Sequence, residues 1–121
     1  MTREMTLAID CGGGGIKGSV VDERGTMMAP PRRVPTPYPL PPELLVETVI
    51  GLARELPTAT RVTMGMPGMI RHGVVIATPH YITRDGPRSR VLPELVERWD
   101  HFDMGRAIEQ ALGLPTKVLN D

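Results

Sequence analysis

The chain has 121 residues, with 14 Lys or Arg and 14 Asp or Glu, so its formal net charge is zero. A neutral chain creates no net field that would attract nucleic acid or an anionic membrane, and no apolar run is long enough to span one. The length suits one domain, and the single cysteine excludes an internal disulfide. Because only a few residues precede the first predicted strand, we expect no signal peptide and a cytoplasmic protein.

The first predicted elements are two strands joined by a glycine-rich turn. Apolar residues predict strands over 6–11 and 16–22, and four consecutive glycines, Gly12–Gly15, separate them. Glycine tolerates positive φ and has no Cβ, so such a turn can direct several backbone N–H groups at one anion. Lys17 adds a positive charge for phosphate, and Asp10 can hold a hydrated metal ion or orient a water. The turn therefore predicts phosphate binding.

The residues after the glycines distinguish three classes of phosphate-binding loop. A Walker A loop needs Lys directly after Gly and then Ser or Thr, whereas Ile16 precedes Lys17 and Gly18 follows it. Residues 13–18 match G-x-G-x-x-G, but a dinucleotide site also needs a helix here and an acidic residue about 20 positions on, where Arg33 stands. We expect the third class, a strand, a phosphate-binding hairpin and a strand. A plain β-hairpin with a flexible tip is the alternative.

The remaining predicted elements alternate between strands and helices. A third strand is predicted from 26 to about 35, with prolines that mark it as an edge, and a stiff proline-rich connector follows over 36–42. We further predict helices at 42–56, 92–99 and 104–112, strands at 61–66 and 117–120, an extended segment at 69–78, and a mobile insertion at 83–90. Cys11 is interpreted as a small apolar residue, and the three histidines lack the spacing of metal ligands. This order of elements indicates an α/β fold.

Four motifs resemble those of the ROK sugar kinases, in the family's order and at roughly its spacing. Residues 10–18 resemble the first phosphate motif, and their Gly-Ile-Lys-Gly end is most similar to the polyphosphate glucokinase branch. Residues 65–68 resemble the Gly-x-Pro-Gly loop beside the sugar. Residues 99–103 are similar to the Trp-x-Gly-x-Asp segment, with His101 in place of its glycine, and 114–121 resemble the strand that ends in an Asn-Asp pair.

The resemblance implies an actin-like ATPase or ribonuclease H-like lobe, with a mixed sheet, an N-terminal β-hairpin and flanking helices. It covers only the amino-terminal lobe of such an enzyme. We therefore expect residues 1–121 to be one domain that lacks the carboxy-terminal lobe and is inactive by itself. Small-molecule sugar and a phosphoryl donor, either ATP or inorganic polyphosphate, would be its ligands. The resemblance also implies Mg²⁺, held indirectly by Asp10, and allows a homodimer.

The resemblance assigns roles to individual residues. Asp121 would be the general base that takes the proton from the 6-hydroxyl of glucose, and it should end a strand beside the strand of Asp10. The donor would be bound by Asp10, Gly12, Gly13, Gly14, Gly15 and Lys17. The sugar would be bound by Gly65, Pro67, Gly68, Asn120 and Asp121. Gly14 stands where the family has Ser or Thr, so a hydroxyl that would contact phosphate is missing.

Two alternatives from other functional classes remain open. One is a non-catalytic sugar- or phosphate-binding domain, or a regulatory domain of the ROK type. ROK repressors carry a DNA-binding helix-turn-helix before the sugar lobe, and because residues 1–5 are too short for one, we do not expect the repressor version. The other alternative is a dinucleotide-binding module, which the β-like residues 19–22 disfavour.

Overall fold

The computed structural model describes residues 3–121, and its helices and strands agree with most of the predicted elements. In chain order they are β1 (Met5–Cys11), β2 (Gly15–Asp22), β3 (Arg32–Pro35), α1 (Pro42–Arg54), β4 (Arg61–Met66), β5 (Met69–Arg71), β6 (Val74–Ala77), α2 (Pro93–Trp99), α3 (Met104–Leu112) and β7 (Thr116–Asn120). No helix within the described residues combines the length and the apolar character that a membrane span requires.

One mixed sheet of five strands, in the order β3-β2-β1-β4-β7, organises the fold. The strands β1, β2 and β3 pair antiparallel, whereas β1 pairs parallel with β4 and β4 pairs parallel with β7. Parallel strands need a crossover connection, and α1 and α3 lie within the two crossovers. The mixed α/β sheet that opens with a β-hairpin confirms the predicted fold class.

The core lies between one face of this sheet and the helices. Side chains alternate along β1, so that Leu7, Ile9 and Cys11 are buried while Asp10 is exposed on the opposite face. The helix α1 presents an apolar stripe that includes Leu45 to the same core. As a result, one face of the sheet is packed against the helices. Polar side chains at the carboxyl ends of β1 and β7 are left on the other face, where they can contact a ligand.

Two predicted strands differ from the structure. The strand predicted over 26–35 pairs with β2 only at Arg32–Pro35, and an isolated bridge at Met27 is what remains of its beginning. Pro30 and Pro31 explain the gap, because proline has no N–H to donate to a strand ladder. The extended segment predicted over 69–78 is a separate hairpin of β5 and β6, with positive φ at the turn residues His72 and Gly73.

An aromatic cluster connects the helices to the glycine-rich hairpin. Trp99 is buried, and its indole N–H donates to the backbone oxygen of Leu40 at 2.8 Å. Its ring lies next to those of Phe102 and Tyr81, and Tyr81 in turn approaches Tyr38. Trp99 of the predicted motif is therefore a packing residue in this fold.

His101, which replaces a glycine of the resembled motif, has φ of 57°. That left-handed conformation is unfavourable for any residue with a Cβ, so we expect His101→Gly to raise the free energy of unfolding by up to about 1 kcal/mol. Urea denaturation of the chain measures this change. His80→Gly is the control, because His80 lacks a positive φ that glycine could relieve. An equal or lower stability of His101→Gly relative to His80→Gly would contradict the explanation.

Candidate active site

The four glycines form the tip of a hairpin, as the sequence predicted. Cys11 pairs with Ile16, and the N–H of Gly12 donates to the oxygen of Gly15 at 2.9 Å. The strand β2 begins at Gly15, so the helix that a dinucleotide fingerprint should open is not present there. The hairpin expectation is confirmed, and the dinucleotide alternative lacks its structural requirement.

Three side chains hold the hairpin by its carbonyl groups. Tyr81 and Thr36 donate their hydroxyls to the oxygen of Gly12 at 2.8 and 3.0 Å, and Tyr38 donates to the oxygen of Gly13 at 2.7 Å. In a trans peptide the N–H points opposite to the C=O, so the N–H groups that follow these two carbonyls point away from the tyrosines. The hairpin tip is thereby oriented to offer backbone donors outward.

The supporting residues were missed by the sequence reasoning. The sequence predicts a connector over residues 36–42, yet Thr36 and Tyr38 lie within it and hydrogen-bond to the hairpin. Both tyrosines of the chain donate to carbonyl oxygens of the hairpin. Burial, followed by the nearby Cys11, raises the pKa of Tyr81 far above its ordinary value, so this hydroxyl remains a donor. Two tyrosines in a chain with only 3% aromatic residues were the available signal.

The carboxylates of Asp10 and Asp121 lie together on the open face of the sheet. Asp10 is directly paired with Gly65 on β4, and the N–H of Asp121 donates to the oxygen of Met66 at 2.9 Å. A Cβ added to Gly65 would overlap the Asp121 carboxylate and lie 2.9 Å from its Cγ. Burial, a hydrogen bond with Asp10 and the negative charge of Asp10 raise the pKa of Asp121.

This arrangement corrects one expectation about strand order. We expected the strand ending at Asp121 to lie beside that of Asp10, but β4 lies between β1 and β7. The two carboxylates nevertheless meet, because Gly65 on the middle strand has no side chain and leaves room for the carboxylate of Asp121. The glycine predicted to line a sugar pocket therefore lies beneath Asp121.

The other predicted sugar residues lie in the turn between β4 and β5 and at the end of β7. Gly68 has φ of 110°, and a Cβ there would overlap the backbone oxygen of Ala77, so only glycine fits. The oxygen of Pro67 accepts a hydrogen bond from Thr78 at 3.2 Å, which fixes the turn. Gly68 and Asn120 line one open cleft of about 400 Å³. The structure thus brings Gly68 and Asn120 together but leaves Gly65 outside that cleft.

The remaining candidates divide between exposed and buried positions. Lys17 is exposed and pairs across the sheet with Asp10 on one side and Arg33 on the other. Gly14 is open, since a Cβ there would meet no atom within 4 Å. Cys11 is fully buried, and burial raises the pKa of its thiol far above the usual range, which confirms its interpretation as an apolar residue. Within residues 3–121, no group of three or more His, Cys, Asp and Glu side chains could hold a metal ion.

Solved structures with the same fold include sugar kinases. The inorganic polyphosphate/ATP-glucomannokinase of Arthrobacter sp. strain KM matches with a TM-score of 0.74 and 32% identity, over 98% of this chain and 44% of that chain. A ROK family glucokinase from Streptomyces griseus, solved with glucose and AMPPNP, has a TM-score of 0.72 and 25% identity, over 96% and 33%. A ROK family transcriptional regulator matches at 18% identity with a TM-score of 0.67, which shows the fold alone.

Sequence relatives and a family model give the same assignment. The N-acetylmannosamine kinase of Citrobacter koseri is 32% identical over 117 residues, which are 96% of this chain and 36% of that protein. The chain thus spans about a third of the length of such relatives. The model of the ROK family matches residues 6–121. Because that match covers nearly the whole chain, the chain belongs to the ROK family, and its fold is that of the family's actin-like sugar kinases.

Proposed function

We propose that residues 1–121 are the amino-terminal lobe of a cytoplasmic, glucokinase-type sugar kinase. It transfers the terminal phosphoryl group of ATP or inorganic polyphosphate to the 6-hydroxyl of glucose. The observation that carries the proposal is the pair of carboxylates, Asp10 and Asp121, on the same open face as Lys17 and next to a hairpin with outward backbone donors. Phosphoryl transfer needs mainly these parts, a base and positioned groups that stabilise charge.

In this proposal Asp121 is the general base. A hydroxyl becomes a better nucleophile when a carboxylate takes its proton during attack, and that carboxylate must be ionised. Burial, followed by the hydrogen bond with Asp10 and the charge of Asp10, raises the pKa of Asp121, which makes it a stronger base than an ordinary aspartate. Asn120 and the Gly68 turn hold the sugar, and the backbone of Gly12–Gly15 with Lys17 holds the donor.

The exposed carboxylate of Asp10 also fits a magnesium ion. Mg²⁺ is usually bound by one or two carboxylates together with substrate phosphates, and Asp10 lies directly beside the phosphate hairpin. Asp10 would hold the ion, mainly through water, and the ion would offset the negative charge of the transferred phosphoryl group. The proximity of two like charges is itself a reason for a cation to bind there.

N-acetylmannosamine kinases are among the sequence relatives, so this amino sugar is the second candidate acceptor. A non-catalytic ROK domain would share the fold but would not need a carboxylate at Asp121 with a raised pKa. Turnover therefore distinguishes a kinase from a regulatory domain.

A homodimer of the two-lobed protein remains part of the proposal.

Activity has to be measured on an enzyme with two lobes. We call it the completed enzyme: residues 1–121 followed either by the product of the coding sequence beyond Asp121 or by the carboxy-terminal part of the Arthrobacter glucomannokinase. Glucose and N-acetylmannosamine are tested as acceptors, with ATP and linear polyphosphate as donors. Formation of glucose 6-phosphate supports the proposal, whereas phosphorylation of N-acetylmannosamine alone changes the acceptor.

Restoring the missing hydroxyl at Gly14 is expected to strengthen donor binding. The position is open to a Cβ, which would meet no atom within 4 Å, and its φ is not positive, so a side chain can be introduced there. Because a hydrogen bond to a charged group contributes about 1.5–3 kcal/mol, Gly14→Thr should lower the KM for the donor by about tenfold or more. Gly14→Ala has the same backbone change without the hydroxyl and is the control. Equal KM values for the two variants would show that the loop does not contact phosphate through residue 14.

The pH profile of the completed enzyme depends on the proximity of Asp10. Since the pKa of Asp121 is raised, the carboxyl stays protonated to a higher pH, and activity should be lost as pH falls through that raised value. Asp10→Asn removes the like charge, so the acid limb of kcat/KM should move to lower pH even though kcat falls. An unmoved acid limb in Asp10→Asn would mean that the limb reports another group.

A further inference from the structure

The segment 83–91, predicted as a mobile insertion, closes on itself in the structure, where Thr83 and Val91 form a bridge at its base. The buried hydroxyl of Thr83 lies within hydrogen-bond distance of the oxygens of His80 and Gly86, at 2.9 and 2.8 Å. Thr83 therefore ties this loop to the residues that precede it in the chain.

Those preceding residues connect the glycine hairpin with the turn at Pro67, which is proposed to hold the sugar and is called the sugar turn. We call residues 78–81 the linking turn, because the N–H of Tyr81 donates to the oxygen of Thr78 at 3.1 Å and closes it. At one end, the hydroxyl of Thr78 donates to the oxygen of Pro67 at 3.2 Å. At the other end, the hydroxyl of Tyr81 donates to the oxygen of Gly12 at 2.8 Å. One short segment thus contacts both loops that would hold the two substrates.

Both ends of the linking turn are fixed by burial. Thr78 and Tyr81 are 3% and 0% exposed, whereas Pro79 and His80 between them are exposed. The ring of Tyr81 packs beside the buried ring of Trp99, with 5.7 Å between the two ring centroids. A buried ring has little freedom to move, because protein interiors are close-packed. The hydroxyl that holds the hairpin is therefore fixed in position relative to the hydroxyl that holds the sugar turn.

The loop that follows the linking turn contacts the same hairpin. A Cβ added to Gly13 would lie 2.7 Å from Cγ of Pro87 and 3.9 Å from Nδ1 of His80, so both side chains border the hairpin tip. Gly86 lies against the ring of Tyr38, whose hydroxyl donates to the oxygen of Gly13. The hairpin is therefore contacted by the linking turn and by the loop that Thr83 ties to it.

We propose that Thr78 and Tyr81 are positioning residues, which hold the sugar turn and the glycine hairpin in a fixed relative placement through the linking turn. The proposal rests on the proposed function, since it concerns how that site aligns its two substrates. Phosphoryl transfer depends mainly on positioning, and a misplacement of about 1 Å can cost about 10²-fold in rate. Both residues act through backbone carbonyl groups, so they contribute placement and no chemistry of their own.

A double-variant cycle in the completed enzyme tests this link. Tyr81→Phe keeps the buried ring and Thr78→Val keeps the branched shape, and each removes one hydroxyl donor. We expect each substitution to lower kcat about tenfold or more, because each frees one end of the linking turn. The double variant should have a kcat within about threefold of the poorer single variant, since a turn released at one end no longer transmits placement. The Kd for glucose and the Kd for ATP, each measured alone by calorimetry, should change less than about threefold.

Two further variants are controls. Thr48→Val removes a hydroxyl that donates to the oxygen of Leu44 within α1, and kcat should stay within about twofold, since such bonds do not stabilise a helix. Tyr38→Phe loosens the same hairpin from outside the linking turn, so its effect on kcat should multiply with that of Thr78→Val. Multiplying effects of Tyr81→Phe and Thr78→Val would overturn the proposal, and so would an unchanged kcat in Tyr81→Phe.

Hydrogen exchange of the ligand-free completed enzyme is a second readout that needs no turnover. The N–H of Gly12 donates to the oxygen of Gly15 in the hairpin, and Thr78→Val should speed its exchange about threefold or more. The N–H of Val62, which donates to the oxygen of Pro115 at 2.8 Å, is the internal reference and should exchange as before. Unchanged exchange at Gly12, or equal acceleration at Gly12 and Val62, would overturn the link.

The outcomes separate this proposal from the proposed function. Sugar phosphorylation by an enzyme in which Thr78→Val and Tyr81→Phe act independently leaves the kinase proposal standing and removes the link. Selectively faster exchange at Gly12 in a Thr78→Val enzyme that phosphorylates no sugar, like its unmodified parent, supports the link and overturns the kinase.

Discussion

Replacing Asp121 by Asn in the completed enzyme is expected to lower kcat by about 10²–10⁴-fold, which is the usual contribution of a general base. The amide keeps the size of the side chain and one acceptor oxygen, so glucose should bind with nearly unchanged affinity. Burial, the hydrogen bond with Asp10 and the charge of Asp10 raise the pKa of Asp121, so they disfavour its ionised carboxylate. A neutral amide avoids that cost, and the variant should fold at least as well. Steady-state kinetics and calorimetric sugar binding on one preparation separate these effects.

Asp100→Asn is the matched control for this variant. Asp100 is exposed, and its carboxylate contacts only the neighbouring His101 among the ion pairs of the described residues. Its loss should leave kcat within about twofold of the unmodified enzyme, since surface ion pairs contribute little. A kcat for Asp121→Asn equal to that of Asp100→Asn would remove Asp121 from the catalytic role.

Gly65→Ala is expected to cost nearly as much activity as the loss of the base itself. A methyl group on residue 65 would occupy the space of the Asp121 carboxylate, which must then move away from Asp10. A misplacement of about 1 Å can cost about 10²-fold in rate, so we expect kcat to fall by at least that much. Gly51→Ala is the control, because a Cβ at Gly51 meets no atom within 4 Å.

A double-variant cycle shows whether Gly65 acts through Asp121. If Gly65 is a positioning residue, Gly65→Ala should have little further effect on kcat in an enzyme that already carries Asp121→Asn. Thermal unfolding of each variant reports any general loss of structure separately. Independent, multiplying effects of the two substitutions on kcat would show that Gly65→Ala damages the enzyme in another way.

The local parts of the fold were predictable because they depend on local chemistry. Four consecutive glycines between apolar runs predicted the β1–β2 hairpin, and the apolar stripe of 42–56 predicted α1, which ends at Arg54. The third strand was predicted too long, since the ladder depends on donors that Pro30 and Pro31 lack. Strand propensity predicts that a segment is extended, but it does not predict which of its residues hydrogen-bond to a neighbouring strand.

The arrangement of the site depends on contacts between distant residues, and these were not predictable. Strand order placed β4 between Asp10 and Asp121, and only the structure shows that Gly65 lets their carboxylates meet. Similarly, the hydrogen bonds from Tyr38 and Tyr81 to the hairpin connect residues 25 and 69 positions apart in the chain. Composition shows that such residues exist, but their partners are set by tertiary packing.

The most direct test of the account is the formation of glucose 6-phosphate by the completed enzyme, measured with both ATP and linear polyphosphate. Residues 1–121 alone serve as the comparison, since in-line positioning by two lobes contributes about 7–11 kcal/mol in favourable cases. We expect turnover by the completed enzyme with at least one donor and none by the isolated lobe. Binding of glucose by the completed enzyme without turnover on either donor would contradict the kinase and favour a regulatory ROK domain. Robust turnover by residues 1–121 alone would contradict the account of a single lobe.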